Sequence, residues 1–174
     1  MMGDFLENPK VPNWNSEMRQ GLAIHRHIDQ YTDSHPCIRE IRAIFFPHIR
    51  HYSGVIADVL LDHYLGRHWG LFHPKALETF CLTFHETLEQ KQQAFTPDFQ
   101  RVFGYMKSQA WLEKYGDKSY MAQTIHRFQK RRPNFNSPEQ TIELWLKHYP
   151  VIERLSLEFL PSIEQEISTV FPNQ

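Results

Sequence analysis

Apolar positions recur along the chain at three- and four-residue intervals, and nowhere do Val, Ile and Thr alternate with polar residues between turn signals. Helices are therefore predicted throughout, and strands are not. The first helix opens near Ser16, carries Met18, Leu22 and Ile28 along one side and ends before Pro36. A proline steers the residue before it out of the helical region. A short second helix is predicted from about Pro36 to Phe46, with Ile38, Ile41, Ile44 and Phe45 in register and a stop at Pro47. The third and most apolar runs from about His48 to Trp69, with Val55, Val59, Leu60 and Leu65 as its stripe. Further helices are predicted at 75–95, 97–108, 117–131 and 138–171, the last interrupted or bent at Pro150 and Pro161. Connectors at 70–74, 115–117 and 132–138 are short and polar, as in a compact all-α bundle.

Length fits a single helical domain over 1–174, because 174 residues suffice to bury one sizeable core. With 41% hydrophobic and 14% aromatic residues, there is enough apolar material to offset the ordering entropy of a folded chain. The net charge of −1 gives no global basic field, so nucleic acid is not expected as a partner and any anion site must be local. Cys37 and Cys81 form neither a CxxC motif nor a disulfide framework. No apolar run approaches the roughly 18 residues of a membrane span, and the start of the chain does not read as a signal peptide. A cytoplasmic location without membrane association is the expectation. The four tryptophans, Trp14, Trp69, Trp111 and Trp145, read as core, with one or two free to line a groove.

Eleven histidines direct attention to metal and acid–base chemistry. In 21-GLAIHRHIDQYTDSHP-36, His25 and Asp29 lie four apart and share a helix face, with Asp33 a turn further on. That face is either a hydrated surface with a His/Asp hydrogen bond or one side of a cation site. In 58-DVLLDHYLGRHW-69, Asp58 and Asp62 are four apart in the most apolar helix, beside His63, Arg67 and His68. Carboxylates there are costly unless they are paired, hydrogen-bonded or bound to a cation. They either cap neighbouring helices or pair with Arg26 and Arg42, or else join the first helix in a mixed nitrogen and oxygen site. The run 127-RFQKRRP-133 is either a solvated helix end favoured by the dipole or a phosphate-recognition patch. Asp4 is a ligand, a cap or neither. No GxSxG, P-loop, GxGxxG or CxxC motif is present.

Taken in order, G-x-x-x-H-R-x-I-D-x-x-T-D-x-x-P (Gly21 to Pro36), D-x-x-x-D-H-x-L-x-x-H-W (Asp58 to Trp69) and R-R-P (Arg131 to Pro133), with GDF near the start and QAWLEKYGD at 109–117, resemble the acyl-carrier-protein phosphodiesterase family. The similarity spans nearly the whole chain. That family looks like a divergent branch of the HD phosphohydrolases. The resemblance implies an HD-like helical fold, a divalent metal with Mn2+ favoured over Mg2+ or Fe2+, and holo-acyl carrier protein as the partner. The implied reaction hydrolyses the phosphodiester that joins 4'-phosphopantetheine to a serine of the carrier. The matching positions are His25, Arg26, Asp29, Thr32, Asp33, Asp58, Asp62, His63 and His68, and Asp4 matches an early acidic residue. The HD dyad stands in inverted order, as Asp62-His63. Family members begin with a further Asn-, His- and Leu-rich segment upstream of the position matching Gly3, and that element is expected to be absent here.

On this resemblance the metal is expected between His25, Asp29, Asp62 and His63, with Asp58 or Asp4 as additional or orienting ligands. Arg26 would neutralise phosphate oxygens in the transition state, helped by Arg67 or Arg131. Asp33 or His68 would move the proton of the water or of the leaving serine. Lys130, Arg131 and Arg132 would meet the acidic carrier protein. Two other classes stay open on the residues alone: a related hydrolase of a small phosphoester or nucleotide, and a non-catalytic helical binding module.

Overall fold

The computed structural model describes residues 16–135 and 137–172. Asp4 and Trp14 lie outside the described residues. Among the described residues nine α-helices run in the order α1 (Ser16–Ser34), α2 (Pro36–Ile49), α3 (Tyr52–Arg67), α4 (Leu77–Gln90), α5 (Pro97–Ser108), α6 (Trp111–Lys114), α7 (Lys118–Arg131), α8 (Pro138–Lys147) and α9 (Tyr149–Val170). No strand occurs among the described residues, in agreement with the all-α expectation.

Helix boundaries follow local chemistry. His35 caps α2, its Nδ1 accepting from the Cys37 amide, and Pro36 occupies the first turn, where its missing N–H costs nothing. Thr96 and Asp117 cap α5 and α7 through the amides of Phe99 and Tyr120. Two expectations about prolines fail. α2 does not stop at Pro47 but continues to Ile49, and the chain turns instead at Arg50, whose φ of 49° is left-handed. The 138–171 segment is interrupted at His148, just before Pro150, but not at Pro161. Pro150 lies in the first turn of α9, and Pro161 stays inside that helix. A proline removes one helical hydrogen bond, and packing along the rest of α9 outweighs that loss. The single turn α6 was not expected; it follows Ala110, which is also left-handed at φ 50°.

α2, α3 and α9 form the centre, with α1 against α2 and α9, and α7 and α8 on the other side. Their core joins Ile38, Ile41 and Phe45 of α2 to Ile56, Leu60 and Tyr64 of α3, Trp145 of α8 and Ile152 and Leu155 of α9. Burying each such side chain is worth about 1.5–3 kcal/mol. α4 and α5 pack a separate group of rings, including Phe95, Phe99 and Phe103, and reach the centre through α6. α1 differs from the central helices: none of its residues is fully buried. It lies across α2 and α9 as a wall, which leaves a cleft beside α3.

Backbones approach most closely where α3 meets the turn after α6. A Cβ on Gly66 would lie 2.9 Å from the Gly116 nitrogen, and one on Gly116 would lie 2.9 Å from the Arg67 nitrogen. Only glycine at both positions permits this contact, which sets the Tyr115–Gly116 turn directly against α3. No described helix is long and apolar enough to cross a membrane.

Candidate active site

A cleft of about 820 Å³ opens between α1, α3 and α9. Helical spacing assembles its acidic lining: Asp29 and Asp33 project from successive turns of α1, and Asp58 and Asp62 from successive turns of α3. α9 supplies Glu164 and an apolar wall that includes Phe159, Leu160 and Ile163. Among the described residues no Lys, Arg or His lines the cleft. Asp62 is open to the solvent of the cleft while protein surrounds it. Desolvation first, and the charge of Asp58 second, push its carboxyl up to about 7. At neutral pH Asp62 thus sits near the midpoint of its titration.

The other expected site residues divide between this cleft and elsewhere. His25 Nδ1 lies 3.4 Å from Asp29 Oδ1, so the i,i+4 pair forms, with the imidazole one turn along from the lining acids. Asp33 accepts from Arg42 Nη1 at 3.0 Å, which makes Arg42, rather than Arg26, the guanidinium tied to a cleft acid. Arg26 is exposed on α1 and does not line the cleft.

The largest correction concerns His63. It is fully buried on the face of α3 turned away from the acids. Its Nδ1–H donates to the Tyr115 carbonyl at 2.8 Å, and its Nε2 accepts from the Tyr149 hydroxyl at 2.9 Å. Both ring nitrogens are engaged, and the lone pair that a metal would need already receives a proton donor. Burial lowers its pKa and keeps the ring neutral. Rings of Tyr64, Trp145 and Tyr149 enclose it. Trp145 donates to the Tyr64 hydroxyl, which donates to the Tyr149 carbonyl. In this geometry His63 holds the turn at Tyr115 and does not share a centre with Asp29 and Asp62.

His68 and Arg67 are likewise drawn away from the cleft. His68 Nε2 lies 2.8 Å from Glu153 Oε1, and Arg67 Nε lies 3.6 Å from the same oxygen. They surround one carboxylate of α9 and do not line the cleft where acid–base and phosphate roles were expected of them. Lys130, Arg131 and Arg132 are exposed at the end of α7, and Arg131 lines a cavity. That cavity is a second, smaller one, across α3 from the acids.

A metal site with three or more protein ligands is not formed here: no three His, Cys, Asp or Glu side chains among the described residues converge as ligands. The donor chemistry nevertheless fits a hard cation of another kind. Mg2+-like ions are commonly held by one or two carboxylates together with the oxygens of a substrate phosphate. Asp58 and Asp62, four apart and mutually repelling, are a pair of that type, with Asp29 across the cleft.

The α9 wall and Glu164 were not singled out from the sequence, and Arg42, expected beside Asp58 or Asp62, pairs with Asp33 instead. The first two had no local signal, because α9 is remote in the chain and its apolar residues read as core.

Fold and site together define an all-α protein with a carboxylate-lined cleft of the kind that suits cation-assisted hydrolysis. The family model of acyl carrier protein phosphodiesterase matches residues 1–163, and the chain belongs to that family. Proteins called acyl carrier protein phosphodiesterase are similar along most of their length. One from Pectobacterium atrosepticum is 29% identical over 170 residues, covering 97% of this chain and 88% of its own. One from Yersinia pestis is 28% identical over 173 residues, covering 95% and 86%. One from Enterobacter is 26% identical over 162 residues, covering 92% and 84%. No solved structure matches the chain.

Proposed function

We propose that this protein hydrolyses the phosphodiester of holo-acyl carrier protein, releasing 4'-phosphopantetheine and leaving the carrier's serine free. The observation that carries this reading is that Asp29 and Asp33 line one cleft with Asp58 and Asp62, bringing together the two motifs on which the family resemblance rests. The cleft also has the size for the substrate. Small-molecule sites occupy roughly 300–1,000 Å³, and about 820 Å³ suits a phosphopantetheine arm lying along the apolar wall of α9.

Charge dictates the rest. A phosphodiester is an anion, and the five carboxylates that line the cleft among the described residues would repel it. A divalent ion, Mn2+ or Mg2+, held by Asp58 and Asp62 with Asp29 opposite, would screen that charge and lower the pKa of its bound water. Asp33 is held by Arg42 at the cleft edge, where its carboxylate orients a water or the leaving serine oxygen. An HD-like relation of the fold fits the all-α architecture and belongs to the same proposal.

The test is to incubate the chain with holo carrier protein and Mn2+, with and without chelator, and to follow the intact mass of the carrier. Metal-dependent loss of the phosphopantetheine mass is the expected result. A carrier left unchanged, under conditions where a nucleotide or another phosphoester is turned over, would sink the assignment.

A further inference from the structure

A second cavity, of about 200 Å³, lies between α3, α6 and α7. Trp111, Tyr115, Tyr120 and Phe128 line it with rings, and Arg127 and Arg131 bring two guanidinium groups to it. No Asp or Glu among the described residues lines it. Its walls are held by contacts of their own. Trp111 Nε1 donates to Gln109 Oε1 at 3.0 Å. The Tyr115 carbonyl accepts from His63, and the close approach of Gly66 and Gly116 sets the Tyr115 turn against α3. Phe128 packs edge-on against Tyr52 and Phe135. The Thr124 hydroxyl donates to the Tyr120 carbonyl at 2.9 Å, which leaves its oxygen to accept from Arg127 Nη2 at 2.8 Å. The same guanidinium lies over the Tyr120 ring, 4.7 Å from its centre.

These contacts leave the charge unmatched. Arg127 and Arg131 stand four apart on α7, so two like charges meet on one helix face. Neither is paired with a carboxylate among the described residues. Asp117, the acid of the neighbouring basin, is engaged as the cap of α7. We propose that this cavity is a binding site for a small aromatic anion, whose single ring enters among Trp111, Tyr115 and Phe128 and whose carboxylate or phosphate bridges Arg127 and Arg131. The site goes beyond the hydrolase reading and does not depend on it, because neither carrier nor metal takes part. Size selects the ligand first: about 200 Å³ falls below the roughly 300 Å³ at which small-molecule sites begin, so one ring and its substituent fit and a nucleotide does not. Chemistry selects it again. Aromatic walls favour a ring by face and edge contacts, and a guanidinium fork matches the oxygens of a carboxylate or phosphate. An anion seated between the two arginines turns their repulsion into attraction. Because the walls are already fixed, little ordering opposes binding.

Calorimetry at low salt and without divalent ions tests the site directly, with phenyl phosphate, benzoate, inorganic phosphate and benzyl alcohol as probes. Phenyl phosphate and benzoate should bind at one site per chain. Inorganic phosphate, an anion without a ring, and benzyl alcohol, a ring without a charge, should each bind at least about tenfold more weakly. Arg127→Gln and Arg131→Gln should each weaken phenyl phosphate binding about tenfold, and Thr124→Val, which removes the hydroxyl that orients Arg127, should weaken it less. Phenyl phosphate should quench tryptophan fluorescence in the wild-type chain and not in Trp111→Phe. Thermal melts of each variant exclude unfolding. Absence of saturable binding by both aromatic anions overturns the site. Inorganic phosphate binding as tightly as phenyl phosphate also overturns it, by reducing it to an adventitious ion only. Unchanged phenyl phosphate affinity in both arginine variants overturns it too, by placing the ligand elsewhere on the chain. Each of these results leaves the hydrolase reading where it stands.

Discussion

Asp62 and His63 are neighbours in the sequence and face opposite sides of α3. Asp62 lines an open cleft with three other aspartates, whereas His63 is sealed among Tyr64, Trp145 and Tyr149 with both ring nitrogens engaged. Consecutive residues on a helix point about 100° apart and do not face each other. The acid side of α3 is expensive in the folded state: it crowds like charges, and it raises the pKa of Asp62. The imidazole side is cohesive, tying α3 to the turn before α7 and to α9. One helix thus carries both a strained chemical face and the packing that supports it, the division expected where function opposes stability.

The sharpest way to break this contrast is to remove the acids. Asp58→Ala and Asp29→Ala should each lower kcat by about 10³-fold on holo carrier, roughly 4 kcal/mol of transition-state stabilisation, with melting temperatures close to wild type. Activity retained in both variants would mean that the cleft is not the reaction centre.

His63→Ala should show the opposite pattern. Losing a buried ring and two hydrogen bonds costs about 3 kcal/mol, or roughly 6–12 °C in melting temperature for a chain of this size. Its activity, measured well below the melt, should fall far less than in the aspartate variants. A normal melt with abolished turnover would return His63 to the catalytic set.

Gly66→Ala tests the close contact that sets Tyr115 against α3. A methyl group 2.9 Å from the Gly116 nitrogen should destabilise by about 1–3 kcal/mol, read in a denaturant melt. Unaltered stability would show that the turn yields easily, and that His63 holds it less firmly than the geometry implies.

The smallest effect carries the sign of the Asp62 shift. A carboxyl whose pKa is raised on folding, from 3.8 to about 7, adds stability that is fully present below the lower value and lost as pH rises through the upper one. Asp62→Asn should therefore match wild type near pH 3.5 and exceed it at pH 8. Because Asp62 is open to cleft solvent, the gain should be about 1–2 kcal/mol, well under the face value of the shift. Equal stability at both pH values would mean that folding does not raise the pKa of this carboxyl.

The sequence by itself determined the helical class, most helix boundaries and the two motif helices. Each depends on short-range rules: apolar period, caps, and prolines at element starts. It also placed Asp29 and Asp33 on one helix and Asp58 and Asp62 on another, each pair at the spacing that shares a face. Tertiary structure decided what sequence distance hides. Only packing could show that α1 lies as a wall across from α3 so that the four acids line one cleft, or that Tyr149, 86 residues from His63, takes the lone pair of its ring. Packing likewise drew Arg67 and His68 toward Glu153 and gave Asp33 to Arg42. A side chain's type and spacing fix what it is able to do and which way its helix presents it; which partner it meets depends on elements far along the chain, and no local pattern encodes that meeting.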